Sequence, residues 1–187
     1  MGHHTFDADR AEDLEDAGRR YRVLSAEELR WALALSPEDT VVDLGSGTGF
    51  YTDSIAPHAS EVYAVDLQPE MHDVYCQKGV PSNVDLVTAP VDEMPLDSDS
   101  VDTAFSTMTY HEFATADAIA EIRRVLRPGG RLVVADWAAA GEGERGPPRS
   151  ERYGLDDAVA SLREHGFTMT FEAQRPETYL LVAAAPS

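Results

Sequence analysis

The sequence predicts an α/β fold in which a mostly parallel β-sheet carries helices on both faces and ends in a reversed strand. Two observations carry this. From residue 38 onward, short β-rich apolar runs alternate with longer stretches that can be helical, the pattern of buried parallel strands joined by crossover helices. The last two runs, Thr168–Ala173 and Thr178–Ala184, are separated only by Gln174-Arg175-Pro176-Glu177. That connection is too short for a right-handed crossover, so the pair must be an antiparallel hairpin.

Taken in order, the chain opens with Met1-Gly2-His3-His4-Thr5-Phe6-Asp7, which lacks the apolar core of a secretory signal, so a cytoplasmic location is expected. His3-His4 reads either as a tag remnant or as native sequence, and neither reading needs a metal. Residues 7–22 are charged with few apolar positions and are expected to form a separate helix or arm. Ser25 and Glu28 have capping-box spacing, and Leu24 with Leu29 can staple, so a helix starts there and is expected to stop near Ser36-Pro37. The chain thus divides into an N-terminal helical arm or lid, residues 1–37, and a body, residues 38–187.

In the body, strands are expected at Thr40–Leu44, Glu61–Val65, Val84–Thr88, Val101–Ser106 and Arg131–Ala135, with helices at 48–57, 69–78, 115–126 and 156–165. The third helix is the clearest: Thr115 can cap it, Ile119, Ile122 and Leu126 share one face, and Pro128-Gly129-Gly130 ends it. Residues 138–152, rich in Gly, Pro and charge, read as a mobile loop.

Composition narrows the function. The chain has 187 residues, 34 acidic and 15 basic, a net charge of −19, and Lys78 as its single lysine. An acidic chain with no basic stripe excludes nucleic acid as a partner, and no apolar run is long enough to span a bilayer. The lone Cys76 allows no internal disulfide and reads as a small buried hydrophobe. Acidic excess with one lysine fits a halophilic-type protein kept soluble in concentrated salt; an ordinary acidic protein is the plainer reading. A monomer or homodimer is expected.

The chemistry-bearing stretch is Val41-Val42-Asp43-Leu44-Gly45-Ser46-Gly47-Thr48-Gly49-Phe50, three alternate glycines between a strand and a helix. Glycine is needed where backbone turns sharply and approaches a ligand, and amides at the helix start favour an anionic group such as a carboxylate. A dinucleotide fingerprint would need glycine where Phe50 stands, and it needs no acid at Asp43, which counts against a nicotinamide-dependent oxidoreductase. Asp66 ends the next strand, where a carboxylate can accept from both hydroxyls of a ribose.

These residues resemble the class I S-adenosylmethionine-dependent methyltransferases, in particular the small-molecule, UbiE-like, type 11 branch. Val42 to Gly49 resembles that family's first motif and Val65-Asp66 its ribose-binding acid. Met94-Pro95-Leu96-Asp97 with Val101-Asp102, the run Arg124–Leu132, and Gly166-Phe167 before the final strands resemble later family segments. The resemblance covers about residues 38 to 184. It implies a three-layer, Rossmann-like sandwich with a seven-stranded sheet, S-adenosyl-L-methionine as cofactor and a small-molecule methyl acceptor. It also implies cofactor contacts from Asp43, Gly45, Ser46, Gly47, Gly49, Asp66, Leu67, Val91, Asp92 and Thr107. Pro90 stands where the family often has an Asp for the adenine amino group, which leaves Asp92 or the Val91 amide for that task.

Methyl transfer needs alignment and, for a protonated nucleophile, a base. His111, just past the fourth strand, is the candidate base, with Tyr110 and Glu112 beside it; a packing or helix-start role is the competing reading. Tyr110 is expected on the pocket wall. Asp136 and Trp137, at the end of the fifth strand, are expected to face the same crevice. The arm and the loop 138–152 are expected to close over it. A cofactor-binding protein without catalysis remains the third reading.

Overall fold

The structure, a computed structural model, describes residues 6–187; His3 and His4 lie outside the described residues. Its centre is β1 (Thr40–Leu44), whose Val41 and Val42 alternate sides and bury into two separate cores. Ahead of it come a 3₁₀ segment (Ala8–Glu15), α1 (Ala17–Arg20) and α2 (Ala26–Leu33). After β1 run α3 (Phe50–Ile55), β2 (Glu61–Asp66), α4 (Pro69–Lys78), β3 (Val84–Thr88) and β4 (Val101–Thr107). They are followed by α5 (Tyr110–Phe113), α6 (Ala116–Val125), β5 (Leu126–Trp137), α7 (Leu155–Glu164), β6 (Thr168–Gln174) and β7 (Thr178–Ala184).

The seven strands lie in the order β3-β2-β1-β4-β5-β7-β6. Strands β1 to β5 pair in parallel, and β7 is antiparallel to both β5 and β6. The hairpin expected from the four-residue connection is therefore present, and it places the reversed strand one position in from the sheet edge. On one face, Val42, Leu44, Ala104, Val134 and Leu181 pack with Ile119 and Ile122 of α6 and Leu162 of α7. On the other, Val41, Phe105, Val133 and Leu180 pack with Leu29 and Leu33 of α2, Tyr51 and Ile55 of α3 and Tyr75 of α4. The expected three-layer sandwich follows from those two apolar faces.

Local signals explain most boundaries. Ser25 Oγ accepts from Glu28 N at 3.1 Å, and Leu24 and Leu29 are both fully buried, so cap and staple start α2 together. The return half of the box is replaced: the Glu28 carboxylate pairs with Arg175 at 2.7 Å. Helix α2 ends at Leu33, earlier than the expected Ser36-Pro37, because Ala34 turns left-handed at φ 49°. Thr115 caps α6 through Ala118 N at 3.1 Å. Cys76, expected to be buried, is exposed, because α4 presents Met71, His72 and Tyr75 inward instead. The segment 138–152 is not a loose loop: buried Arg152 bonds to Glu177 at 3.1 Å and to the Pro147 carbonyl at 2.9 Å, and stacks 5.5 Å from the Trp137 ring.

Candidate active site

A cavity of about 290 Å³ opens at the carboxyl ends of β1, β2 and β4, the place where open α/β sheets take ligands. Its floor is Gly45-Ser46-Gly47-Thr48, turned by positive φ at Gly45 (77°) and Gly47 (55°). A Cβ at Gly45 would lie 2.3 Å from Thr109 Cγ2, so glycine there lets β1 and the segment after β4 meet. Gly49 (φ 78°) is a packing residue: a Cβ there would lie 2.1 Å from the Tyr75 ring.

Asp66, at the end of β2, locks this loop. Its Oδ2 accepts from Gly47 N at 2.8 Å and its Oδ1 from Gln68 N at 2.9 Å. Burial raises its pKa, and the amides of Gln68 and Gly47 oppose that. Three other amides of the loop are also taken. Gly45 N and Ser46 N both donate to Val65 O at 2.9 Å, and Gly49 N donates to Ser46 O at 3.0 Å. Ser46 Oγ, by contrast, is buried with no hydrogen-bond partner among the described residues.

Opposite the floor, Leu67, Met71, Ala89, Pro90, Val91 and Asp92 form an apolar wall with one carboxylate. Leu67 is 57% exposed, a large apolar side chain left open at the rim. Thr107, Met108, Thr109, Glu112 and Phe113 form the third side. Met108 holds a left-handed backbone (φ 61°) while its amide donates to Ala135 O at 2.7 Å. The fourth side comes from the arm: Phe6, Leu14 and Arg20. Gln68 Nε2 donates to Phe6 O at 3.0 Å, Lys78 pairs with Glu15 at 3.1 Å, and Thr48 Oγ1 donates to Glu15.

Of the two residues singled out for chemistry, neither lines the cavity. Tyr110 is fully buried between Phe113 and Tyr153, and its hydroxyl has no partner among the described residues. His111 sits one layer behind the wall, with Nδ1 at 3.0 Å from both oxygens of Asp136 and Nε2 at 4.0 Å from Glu112 Oε1. Burial alone would lower the His111 pKa, but the Asp136 hydrogen bond and charge outweigh it and the net direction is up. Glu112, which does reach the cavity, is pushed up to about 7 by burial, with His111 opposing and Asp66 and Asp136 adding. Asp136 faces His111 rather than the crevice, and Trp137 packs against the α2–α4 core and Arg152. No residue of 138–152 lines the cavity, so the expected second lid element is absent from its rim.

Asp43 also lies beneath the cavity rather than on it. Its Oδ2 accepts from Thr52 Oγ1 at 2.6 Å, its Oδ1 is buried without a partner among the described residues, and burial raises its pKa to about 7.

Against known proteins, residues 42–134 match the family model for a methyltransferase domain. The chain belongs to the class I, S-adenosylmethionine-dependent methyltransferases. The chain is 37% identical over 129 residues to an uncharacterized methyltransferase-like protein of Schizosaccharomyces pombe, a match covering 68% of this chain and 49% of that one. It is 34% identical over 151 residues to an uncharacterized methyltransferase of Mycobacterium bovis, covering 74% and 60%. The chain thus spans about half to three-fifths of the length of these curated relatives. Among solved structures, an S-adenosylmethionine-dependent methyltransferase from Aquifex aeolicus superposes with a TM-score of 0.88 at 26% identity, over 97% of this chain and 100% of that one.

The family's cofactor is S-adenosyl-L-methionine, and the residues present fit it. The cavity joins a glycine floor that a Cβ would fill, an unpartnered buried hydroxyl at Ser46, a carboxylate at Asp66 and an open apolar face at Leu67. Glu112 was named in the sequence only as a neighbour of His111, and Phe6, Leu14 and Arg20 carried no cofactor signal there, because they come from outside the motif-bearing core. Phe6 and Arg20 do belong to the arm expected to fold over the strand ends, and both lie on the cavity wall.

Proposed function

We propose that this methyltransferase moves the methyl group of S-adenosyl-L-methionine to a small-molecule acceptor. The observation that carries the reading is Asp66 at the carboxyl end of β2, tied to the glycine loop by Gly47 N at 2.8 Å and open to the cavity. The cofactor supplies an electrophilic methyl on a sulfonium. The chain's part is to hold the two reactants in line, which contributes on the order of 7–11 kcal/mol at best.

In this reading Asp66 accepts from the ribose hydroxyls, Leu67, Val91 and Asp92 hold the adenine, and Gly45, Ser46 and Gly47 with the Thr107 backbone bed the methionyl part. Asp43 and Gly49 shape the loop from below. Glu112, which faces the cavity, takes the acceptor's proton, and His111, oriented by Asp136 with Nε2 4.0 Å from Glu112 Oε1, acts on that carboxylate by its charge. Tyr110 supports that turn from the core. Residues 1–37 serve as an arm that covers the site, a role supported by Phe6, Leu14 and Arg20 on the cavity wall.

A net charge of −19, 34 acids against 15 bases, disfavours nucleic acid as the acceptor. Among the described residues no helix is long and apolar enough to cross a membrane. A cytoplasmic, halophilic-type monomer or homodimer remains the reading for location and state. Calorimetry with S-adenosylhomocysteine and with NADH tests the cofactor: binding of NADH alone overturns the proposal. Isotope-labelled S-adenosylmethionine incubated with separated small-molecule, protein and RNA fractions tests the acceptor. Label is expected in the small-molecule fraction, and label confined to a macromolecule overturns that part.

A further inference from the structure

Glu121, Glu177 and Glu112 are similarly enclosed, with side chains 13%, 18% and 17% exposed. Two of them hold an arginine: Glu121 lies 2.6 Å from Arg124 and Glu177 3.1 Å from Arg152. Glu112 holds none. Among the described residues its only charge partner within 4.0 Å is His111, whose Nε2 stands at 4.0 Å. That imidazole is already shared, because its Nδ1 lies 3.0 Å from both oxygens of the fully buried Asp136. With both acids ionised, the group keeps one negative charge even when His111 is protonated. The Phe6 amide, a neutral donor, also bonds to Glu112, and burial still pushes its pKa up to about 7. An enclosed carboxylate short of positive charge carries a desolvation cost that a cationic ligand would remove.

The open side of Glu112 is the cavity. Its lining carries three acids, Asp66, Asp92 and Glu112, against one base, Arg20. Asp66 is engaged by the amides of Gly47 and Gln68, and Arg20 lies against the rings of Phe50 and Tyr51. Around Glu112 the wall is apolar, with Phe6, Met108 and Phe113. A carboxylate set among aromatic rings suits a cation on a hydrocarbon skeleton, whose charge meets the acid and whose apolar part meets the rings. The same negative charge disfavours carboxylate or phosphate acceptors, and an alcohol or phenol would leave it uncompensated. The net charge of −19 draws small cations in the same sense.

We propose that the methyl acceptor is an organic amine, taken as its ammonium ion by Glu112 with its hydrocarbon part against Phe6 and Phe113. The inference rests on the S-adenosylmethionine reading and narrows its acceptor. An ammonium has no lone pair, so the acid that binds it must also deprotonate it. The Glu112 carboxylate takes one N–H proton, which leaves a neutral amine. The nitrogen lone pair forms the N–CH3 bond while the methyl–sulfur bond breaks, its electron pair passing to the sulfonium sulfur, which ends neutral. The nitrogen carries the positive charge away as a methylated ammonium, and Glu112 returns its proton to water.

Calorimetry on the full chain saturated with S-adenosylhomocysteine tests this at pH 8. The probes are benzylamine, phenethylamine and hexylamine, each beside the alcohol and the carboxylic acid of the same skeleton. The wild type should bind the best amine about 10–100-fold more tightly than its alcohol, the range of a charge-assisted pair, and the acid more weakly than either. Glu112→Gln should bring the amine down to the affinity of the alcohol, and Glu112→Asp should keep part of the preference. With labelled S-adenosylmethionine, the label should end on the nitrogen of the bound amine. The wild-type comparison decides by itself should a variant fail to fold. Alcohols or acids bound as well as amines, no probe bound, a bound amine that takes no label, or a preference that survives Glu112→Gln would each overturn the proposal. Failure of the wild type to bind S-adenosylhomocysteine would instead overturn the cofactor reading on which it stands.

Discussion

His111 Nδ1 lies 3.0 Å from each carboxylate oxygen of Asp136, and the same Asp136 accepts from the backbone amides of His111 at 2.6 Å and Trp137 at 2.8 Å. One fully buried carboxylate therefore fixes the imidazole, the start of the α5 turn and the end of β5. Because it raises the His111 pKa above that of the unfolded chain, the pair contributes stability that is fully present below about pH 6.5 and is lost as the pH rises through the folded value. Asp136→Asn should bring the His111 titration midpoint, read by proton NMR, below that of the wild type. The stability gap between the two proteins should narrow as pH rises. A midpoint that does not move would show that Asp136 is not setting it.

Asp43 has the same sign for a different reason. Burial raises its pKa to about 7, so its contribution to stability is fully present below the unfolded value near 4 and lost as the pH rises through about 7. Asp43→Asn retains an acceptor for Thr52. It should be near neutral at pH 4 and stabilising at pH 8 by roughly 1–4 kcal/mol, measured by urea unfolding. Destabilisation at pH 8 would mean that the carboxylate is ionised and compensated.

Asp66→Ala should weaken S-adenosylhomocysteine by about 10–100-fold, since charge-assisted bonds contribute roughly 1.5–3 kcal/mol each. Part of that loss would come through the Gly47 amide left without its acceptor. Calorimetry showing unchanged affinity would remove Asp66 from the site.

Gly49→Ala meets both a left-handed backbone and the Tyr75 ring, and should cost about 2–5 kcal/mol. Gly79→Ala is the control: its φ of 98° is unfavourable but nothing lies within 4 Å of the added methyl. Thermal unfolding should separate the two clearly. Equal losses would mean that strain alone matters at Gly49.

The sheet was legible because its strands are short apolar runs bounded by strong punctuation, so β1 to β3 and the final hairpin fall where expected. The loop and Asp66 were legible because a glycine turn and an acid at a strand end have few other uses. The acceptor side was harder for a geometric reason. Successive helical residues are rotated about 100° apart, so Tyr110 and Glu112 face nearly opposite ways, and sequence does not give the phase of a four-residue helix. That is why Tyr110 is in the core and Glu112 on the cavity. Arg20 is legible as part of an arm that folds over the strand ends, but its seat against Phe50 and Tyr51 of α3 is not, because that depends on a long-range contact.

Lys78, the single lysine of the chain, sits between Glu15 of the arm at 3.1 Å and Asp53 of α3 at 2.9 Å. Any amine-directed reagent therefore has one side-chain target here, and it is one of the charges that tie the arm to the body, alongside the Glu28–Arg175 pair. Acylation at that nitrogen would leave Glu15 and Asp53 repelling each other across the gap. A covalent label at Lys78 thus doubles as a latch release, readable by peptide mass mapping as an adduct on that residue.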